Sequence, residues 1–180
     1  MKLIKLDAID STNEFLKGIS NKEDLENFTV VTAENQTNGK GQMGSAWNSE
    51  VGKNLIMSVL IKDFLFEIHE IFNLNIAVSL AVLTTLKKKD IPALSIKWPN
   101  DILSANKKIG GILIENSIKS DGTILSIVGL GLNVNQTNFE GLPKASSLAV
   151  VVSQELDKEE LLFDIITNLK KNIAESNQNP

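Results

Sequence analysis

The fold class this 180-residue sequence predicts is α/β (α+β): a mixed, largely antiparallel sheet with helices packed mainly on one face. Three observations point to it. A long stretch, 67–89, has apolar residues at helical spacing; the chain beyond Pro92 breaks into short apolar runs separated by turn residues; and no repeat or low-complexity linker interrupts the sequence. The order is β, α, β, β, α, several β, α, and the length predicts one domain spanning 1–180.

Residues 2–6 alternate like a short strand. Asp10-Ser-Thr-Asn-Glu14 then opens a helix, with Ser11 and Glu14 spaced as a capping box ahead of Phe15, Leu16 and Ile19. Residues 28–33 read as a strand, 37–47 (TNGKGQMGSAW) as a glycine-rich loop, and 54–62 as a strand. In the helix over 67–89, Ile68, Phe72, Ile76, Leu80 and Leu83 define the apolar face, and Lys87-Lys88-Lys89 lies in the last turn, where cations suit the helix dipole. The runs 94–98, 102–104, 109–118 and 123–134 form an antiparallel meander, with turns at Asn106-Lys-Lys and at Asp121-Gly122, a hairpin signal. A last helix begins at 157–160, carries Leu161, Leu162, Ile165, Ile166 and Leu169, and gives way to a polar tail at 175–180.

Composition removes several function classes. A net charge of −4 gives no general attraction to nucleic acid or to an anionic membrane. The longest apolar stretch, 76–83, is broken by Ser79 and too short to span a bilayer, and the N-terminus lacks a signal-like apolar core, so a cytoplasmic location is expected. There is no cysteine and one histidine, His69, read as a surface residue; a zinc site, a thiol nucleophile and a disulfide framework are therefore not expected, nor any metal ligand set. All 18 basic residues are lysine, so any anion site is built from point charges rather than the planar fork of arginine.

Five segments interrupt the apolar strands with polar or glycine residues. In the first glycine-rich one, Gly39 and Gly44 have P-loop spacing, but Ser45 and Ala46 stand where that motif needs Lys and Ser or Thr. Gly129-x-Gly-x-Asn133 begins like a dinucleotide fingerprint, but Val134 stands in the third glycine position and no helix follows. Ser11 to Glu14 alone is a helix cap, and Lys97-Trp-Pro-Asn-Asp101 alone is a strand ending at a turn.

Taken together and in this order, Ser11-Thr-Asn13, Gln36, Gly39-Lys-Gly-Gln-Met-Gly-Ser-Ala-Trp47, Lys97-Trp-Pro-Asn-Asp101, Lys108-Ile-Gly-Gly-Ile-Leu-Ile-Glu115 and Gly129-Leu-Gly-Leu-Asn133 resemble a biotin-protein ligase of the biotin-[acetyl-CoA-carboxylase] ligase family. The match covers about 9–148. The resemblance implies a catalytic domain like that of class II aminoacyl-tRNA synthetases, and a two-step acyl transfer: biotin and ATP give biotinyl-5′-AMP, which a lysine of a biotin carboxyl carrier protein domain then attacks. Mg²⁺ would enter with the ATP phosphates. Lys97 and Lys40 would be catalytic; Ser11, Thr12, Asn13, Gln36, Lys40, Gly41, Gln42 and Lys97 would bind biotin; Gly39, Trp47, Gly129, Gly131 and Asn133 would bind ATP, with Trp47 against the adenine. A homodimer is compatible with the family. Many relatives carry arginines in the glycine loop, where this chain has Lys40, Gln42, Met43 and Ser45, and many have an N-terminal DNA-binding domain or a C-terminal β-barrel that the expected 1–180 domain lacks. Two alternatives stay open: a lipoate-protein ligase, and a module that binds biotin or its adenylate without transferring it.

Overall fold

The computed structural model describes residues 1–62, 64 and 70–176. Its elements are β1 (Leu3–Ile9), α1 (Thr12–Ser20), β2 (Val30–Gln36), β3 (Leu55–Ile61), α2 (Ile71–Lys88), β4 (Leu94–Lys97), β5 (Asp101–Ser104), β6 (Lys107–Ile118), β7 (Ile124–Leu132), α3 (Leu148–Val152) and α4 (Lys158–Ser176). Seven strands form one sheet in the order β1-β2-β3-β7-β6-β5-β4. The β1–β2 pair is parallel and every other pair is antiparallel. The predicted mixed sheet is therefore present.

Side-chain alternation divides the strands between two faces. On β3, Leu55, Met57, Val59 and Ile61 enter the larger core, shared with Leu74, Val78 and Val82 of α2 and with Leu162, Ile165 and Leu169 of α4. The opposite face carries a smaller core, in which Leu16 of α1 meets Val31, Leu60, Leu125 and Ile127. Two long helices thus cover one face, while the single short helix α1 covers only part of the other. The site lies on that sparsely covered face.

The sequence signal at the start of α1 is half realised. Ser11 Oγ accepts a hydrogen bond from the Glu14 amide at 3.4 Å and caps the helix. The Glu14 carboxylate does not turn back to complete a capping box; it bonds the Lys40 ammonium at 2.7 Å.

The face assigned to α2 requires correction. Phe72, Ile76 and Leu80 are 53%, 41% and 50% exposed, whereas Leu74, Ala77, Val78, Ala81, Val82 and Leu86 are buried. This helix is apolar nearly all round, and both stripes have helical spacing. The stripe with the smaller residues wins because Ala77 and Ala81 let α4 come close, and Asn172 Nδ2 reaches the Ala77 carbonyl at 2.9 Å. By length and mean hydropathy, 1.2, α2 also passes the test for a membrane span, but 44% of it is buried, as in a core helix. The predicted helical residues Glu67 and Ile68, and His69 with its surface assignment, lie outside the described residues. The short helix α3, capped by Ser147 Oγ, was not anticipated.

Leu74→Ala should cost about 2–5 kcal/mol of unfolding free energy, the usual range for emptying a core leucine site. Leu80→Ala should cost under about 0.5 kcal/mol. Urea melts of the two variants check the assignment of the helix face.

Candidate functional site

Side-chain volume is missing from the site face of the sheet centre. Ser58 on β3 pairs with Gly129 on β7, Gly129 pairs with Leu113 on β6, and Gly131 pairs with Gly111. Three glycines and a serine in adjacent strands leave a depression beneath the α1 N-terminus and the glycine loop. It opens into a cavity of about 380 Å³.

Two of these glycines make room for the protein's own side chains. A Cβ on Gly129 would lie 2.5 Å from Asn13 Oδ1, and one on Gly131 would lie 2.4 Å from the Trp47 ring. The resemblance implies ATP binding at both glycines; in the structure the space directly above them holds Asn13 and Trp47.

The loop is an ordered hairpin. Lys40 bridges Ala46, the Trp47 amide donates to the Gly39 carbonyl at 2.9 Å, and a 3₁₀ turn at Gln42–Gly44 closes the tip. Met43 and Gly44 both take left-handed φ there, 54° and 78°, and the Met43 side chain is fully exposed. Three contacts fasten the hairpin: the Asn38 amide donates to the Asp10 carbonyl, Trp47 packs on Gly131, and Lys40 pairs with Glu14 across the opening. The hydrogen bond from Lys40 holds the Glu14 carboxyl below its ordinary range, and the same bond raises the Lys40 ammonium above its own. Trp47 Nε1 is buried against Gly131 without an acceptor among the described residues.

A cation pair sits on the far wall. Lys97 on β4 pairs in register with Asp101 on β5, and Asp101 accepts a 2.6 Å ion pair from Lys108 on β6. Lys108 Nζ also lies 5.7 Å from the centre of the Trp47 ring, within cation–π range. Two lysines and one carboxylate therefore share this wall, with Lys108 the one in direct contact with Asp101, the only acidic side chain among the described residues that line the cavity.

Of the predicted site residues, Ser11, Thr12, Asn13, Gln36, Lys40, Gly41, Gln42, Trp47, Lys97, Gly129 and Gly131 line this one cavity. Gly39 and Asn133 do not. Gly39 is packed beneath Trp47, where a Cβ would meet the Trp47 carbonyl oxygen at 2.4 Å. Asn133 is buried with its amide donating to the Ser146 carbonyl at 3.0 Å, a tie between β7 and the segment leading into α3; its predicted contact with the nucleotide is not supported by this placement. Lys108 and Asp101 stand within the recognised motifs without an expected role, and Ser58 stands in none of them. A lone polar residue inside the apolar run 55–61 was the available signal for Ser58, and the alternation Gly111, Leu113, Glu115 was the signal that Glu115 shares the site face.

The family model described as Biotin/lipoate A/B protein ligase family matches residues 6–135. The chain belongs to the biotin/lipoate A/B protein ligase family. It is 31% identical over 173 residues to the bifunctional ligase/repressor BirA of Bacillus subtilis, covering 94% of this chain and 53% of the relative. It is 30% identical over 175 residues to the biotin--[acetyl-CoA-carboxylase] ligase of Mycobacterium tuberculosis, covering 94% of this chain and 64% of that one. The chain thus spans roughly half to two thirds of the length of these curated ligase-family relatives. Among solved structures, the biotin protein ligase of Aquifex aeolicus in complex with biotin and ATP superposes with a TM-score of 0.82 at 29% identity, covering 99% of this chain and 72% of that chain.

Gly131→Ala should expel Trp47 from its slot, because the added Cβ and the ring cannot share the space. In a Trp98→Phe background, which leaves Trp47 as the one fluorophore of its kind, emission should shift to the red and stability should fall by about 1–3 kcal/mol.

Proposed function

We propose that this chain activates biotin with ATP and transfers the biotinyl group to a lysine of a biotin carboxyl carrier protein domain. One observation carries the reading: a single cavity is lined by uncharged polar residues (Thr12, Asn13, Gln36), by two lysines of the β4–β6 wall (Lys97, Lys108) and by the hairpin that bears Trp47. Biotin has matching ends, a neutral cyclic urea and a carboxylate. The family membership and the likeness to a ligase complexed with biotin and ATP support the same reading.

In the first step a carboxylate oxygen of biotin attacks the α-phosphorus of ATP, and pyrophosphate leaves with the electron pair of the broken P–O bond. Two anions must meet, so the barrier is largely electrostatic, and preorganised cations lower it. Lys97 and Lys108, on neighbouring parts of one sheet wall, neutralise the carboxylate and the phosphoryl oxygens. In the second step the carrier amine attacks the acyl carbon and AMP departs. The Gly39–Trp47 hairpin keeps water from the mixed anhydride between the two steps.

Trp47 offers a ring face to the adenine, a stacking contact worth about 1–3 kcal/mol. Its unpartnered Nε1 would find an acceptor on the ligand. Mg²⁺ would be held mainly by the substrate phosphates, with Asp101, which Lys108 pairs at 2.6 Å, as the one cavity carboxylate that could join it. When bound, it supplies charge neutralisation of the phosphates. The carrier is expected to be a carboxylase subunit, and the setting the cytoplasm.

Lys97→Ala and Lys108→Ala should each lower biotin-dependent ATP–pyrophosphate exchange by about 10²–10³-fold, the usual effect of removing one preorganised donor, with thermal unfolding unchanged within a few degrees. Wild-type chain giving neither exchange nor a mass gain on a carrier domain would refute the activity. Full exchange in both variants would remove the lysines from the mechanism.

A further inference from the structure

Beneath the polar corner lies a chain of hydrogen bonds that ends on a residue outside the cavity. Thr12 Oγ1 lies 2.7 Å from Ser58 Oγ, Ser58 Oγ lies 2.6 Å from Asn13 Oδ1, and Asn13 Nδ2 lies 2.8 Å from Glu115 Oε2. Thr12, Asn13 and Ser58 are all at least nine-tenths buried. Neither Ser58 nor Glu115 lines the cavity.

Proton counting fixes the direction of this chain. A carboxylate has no proton to give, so Asn13 must present Nδ2 to Glu115, which leaves Oδ1 facing Ser58. An amide oxygen only accepts, so the single Ser58 proton goes to Asn13. The Thr12 and Ser58 oxygens, 2.7 Å apart, then need a proton between them, and only Thr12 can supply it. Thr12 Oγ1 also lies 3.0 Å from Gln36 Oε1, which takes the Thr12 amide at 2.8 Å and has a second lone pair for the hydroxyl, so the Thr12 proton goes to Ser58 or to Gln36 and in neither case to the cavity. The Thr12 hydroxyl therefore turns its lone pairs to the cavity as an acceptor. The Thr12 amide also fixes the orientation of Gln36, whose Nε2 meets no acceptor among the described residues and is free to donate. The corner thus offers one acceptor and one donor side by side, the complement of the N–H and C=O of a cyclic urea.

We propose that Glu115 is a specificity-determining positioning residue: through Asn13 it keeps the Ser58 proton off Thr12, leaving both lone pairs of the Thr12 hydroxyl to a ligand head with an N–H beside a carbonyl. This rests on the biotin reading above. Removing the carboxylate leaves only the longer bond from Asn13 Nδ2 to the Leu113 carbonyl, 3.4 Å, to oppose a flip of the amide. Nδ2 then donates to Ser58, the Ser58 proton takes one of the two Thr12 lone pairs, and the Thr12 proton turns to Gln36, so one acceptor lone pair rather than two is left for the ligand.

The test is a double-mutant cycle read by biotin titration calorimetry and by the Asn13 side-chain amide resonances of the ligand-free protein. Glu115→Leu should weaken biotin binding by about tenfold or more, while Glu115→Gln, whose amide oxygen still accepts, should stay within about threefold of wild type. Ser58→Ala alone should also stay within about threefold, because Thr12 can then donate to Gln36 and still accept from the ligand. In the double variant Ser58→Ala/Glu115→Leu, affinity should recover several-fold over Glu115→Leu, since no serine proton remains to occupy Thr12. Losses that simply add overturn the inference, as does an equal rise in KM for ATP in Glu115→Leu. If the wild-type chain binds no biotin, the functional reading fails. The Asn13 resonances still decide the relay in that case: movement in Glu115→Leu but not in Glu115→Gln supports it, and no movement in either overturns it.

Discussion

The absence of side chains at Gly111, Gly129 and Gly131 is the constraint on which the rest of this structure depends. A sheet face bearing ordinary residues there would be filled to the level of α1. The glycines lower it, and the vacated space is taken by Asn13 from one side and Trp47 from the other. Both residues come from segments at the edge of the sheet's covered area, a helix N-terminus and a loop hairpin. The depression therefore creates the cavity and also adds an anchor to two of its walls. The opposite face needs no such device; it is covered by α2 and α4 through a continuous apolar core.

Charge is distributed in the same economical manner. Without arginine, anion binding cannot rely on bidentate forks, and the three lysines of the cavity are placed by different means. Lys97 is set by strand register, Lys108 by its ion pair with Asp101 and its position over Trp47, and Lys40 by Glu14. The Lys40–Glu14 pair is about half exposed on both sides, so its contribution to stability is small. Its consequence is geometric: it keeps the one cation of the hairpin at the cavity mouth.

Much of this was legible in the sequence because the signals were local. The capping serine, the Asp121-Gly122 turn and the period-two runs each depend on near neighbours in the chain, and each produced the expected element. Failures arose where a choice depended on tertiary contacts. Phe72, Ile76 and Leu80 have the spacing of a core stripe, but α2 had a second stripe of equal periodicity, and only the approach of α4 decides between them. For Gly129, Gly131 and Asn133, expected at the nucleotide, tertiary contacts likewise decide the surroundings: the two glycines line the cavity and Asn133 does not. Volume at the glycines is claimed by other parts of the protein, and the Asn133 amide is committed to Ser146. The functional weight of Ser58 and Glu115 was invisible in the same way, since it arises only when α1 is laid across β3 and β6.

A crystal structure with a non-hydrolysable analogue of biotinyl-5′-AMP tests the central claim most directly. The account predicts the bicyclic head against Thr12 and Gln36, the acyl-phosphate mimic between Lys97 and Lys108, and the adenine against Trp47. A ligand bound elsewhere, or one seated with its head at the lysine wall and its nucleotide in the Thr12 corner, would contradict it.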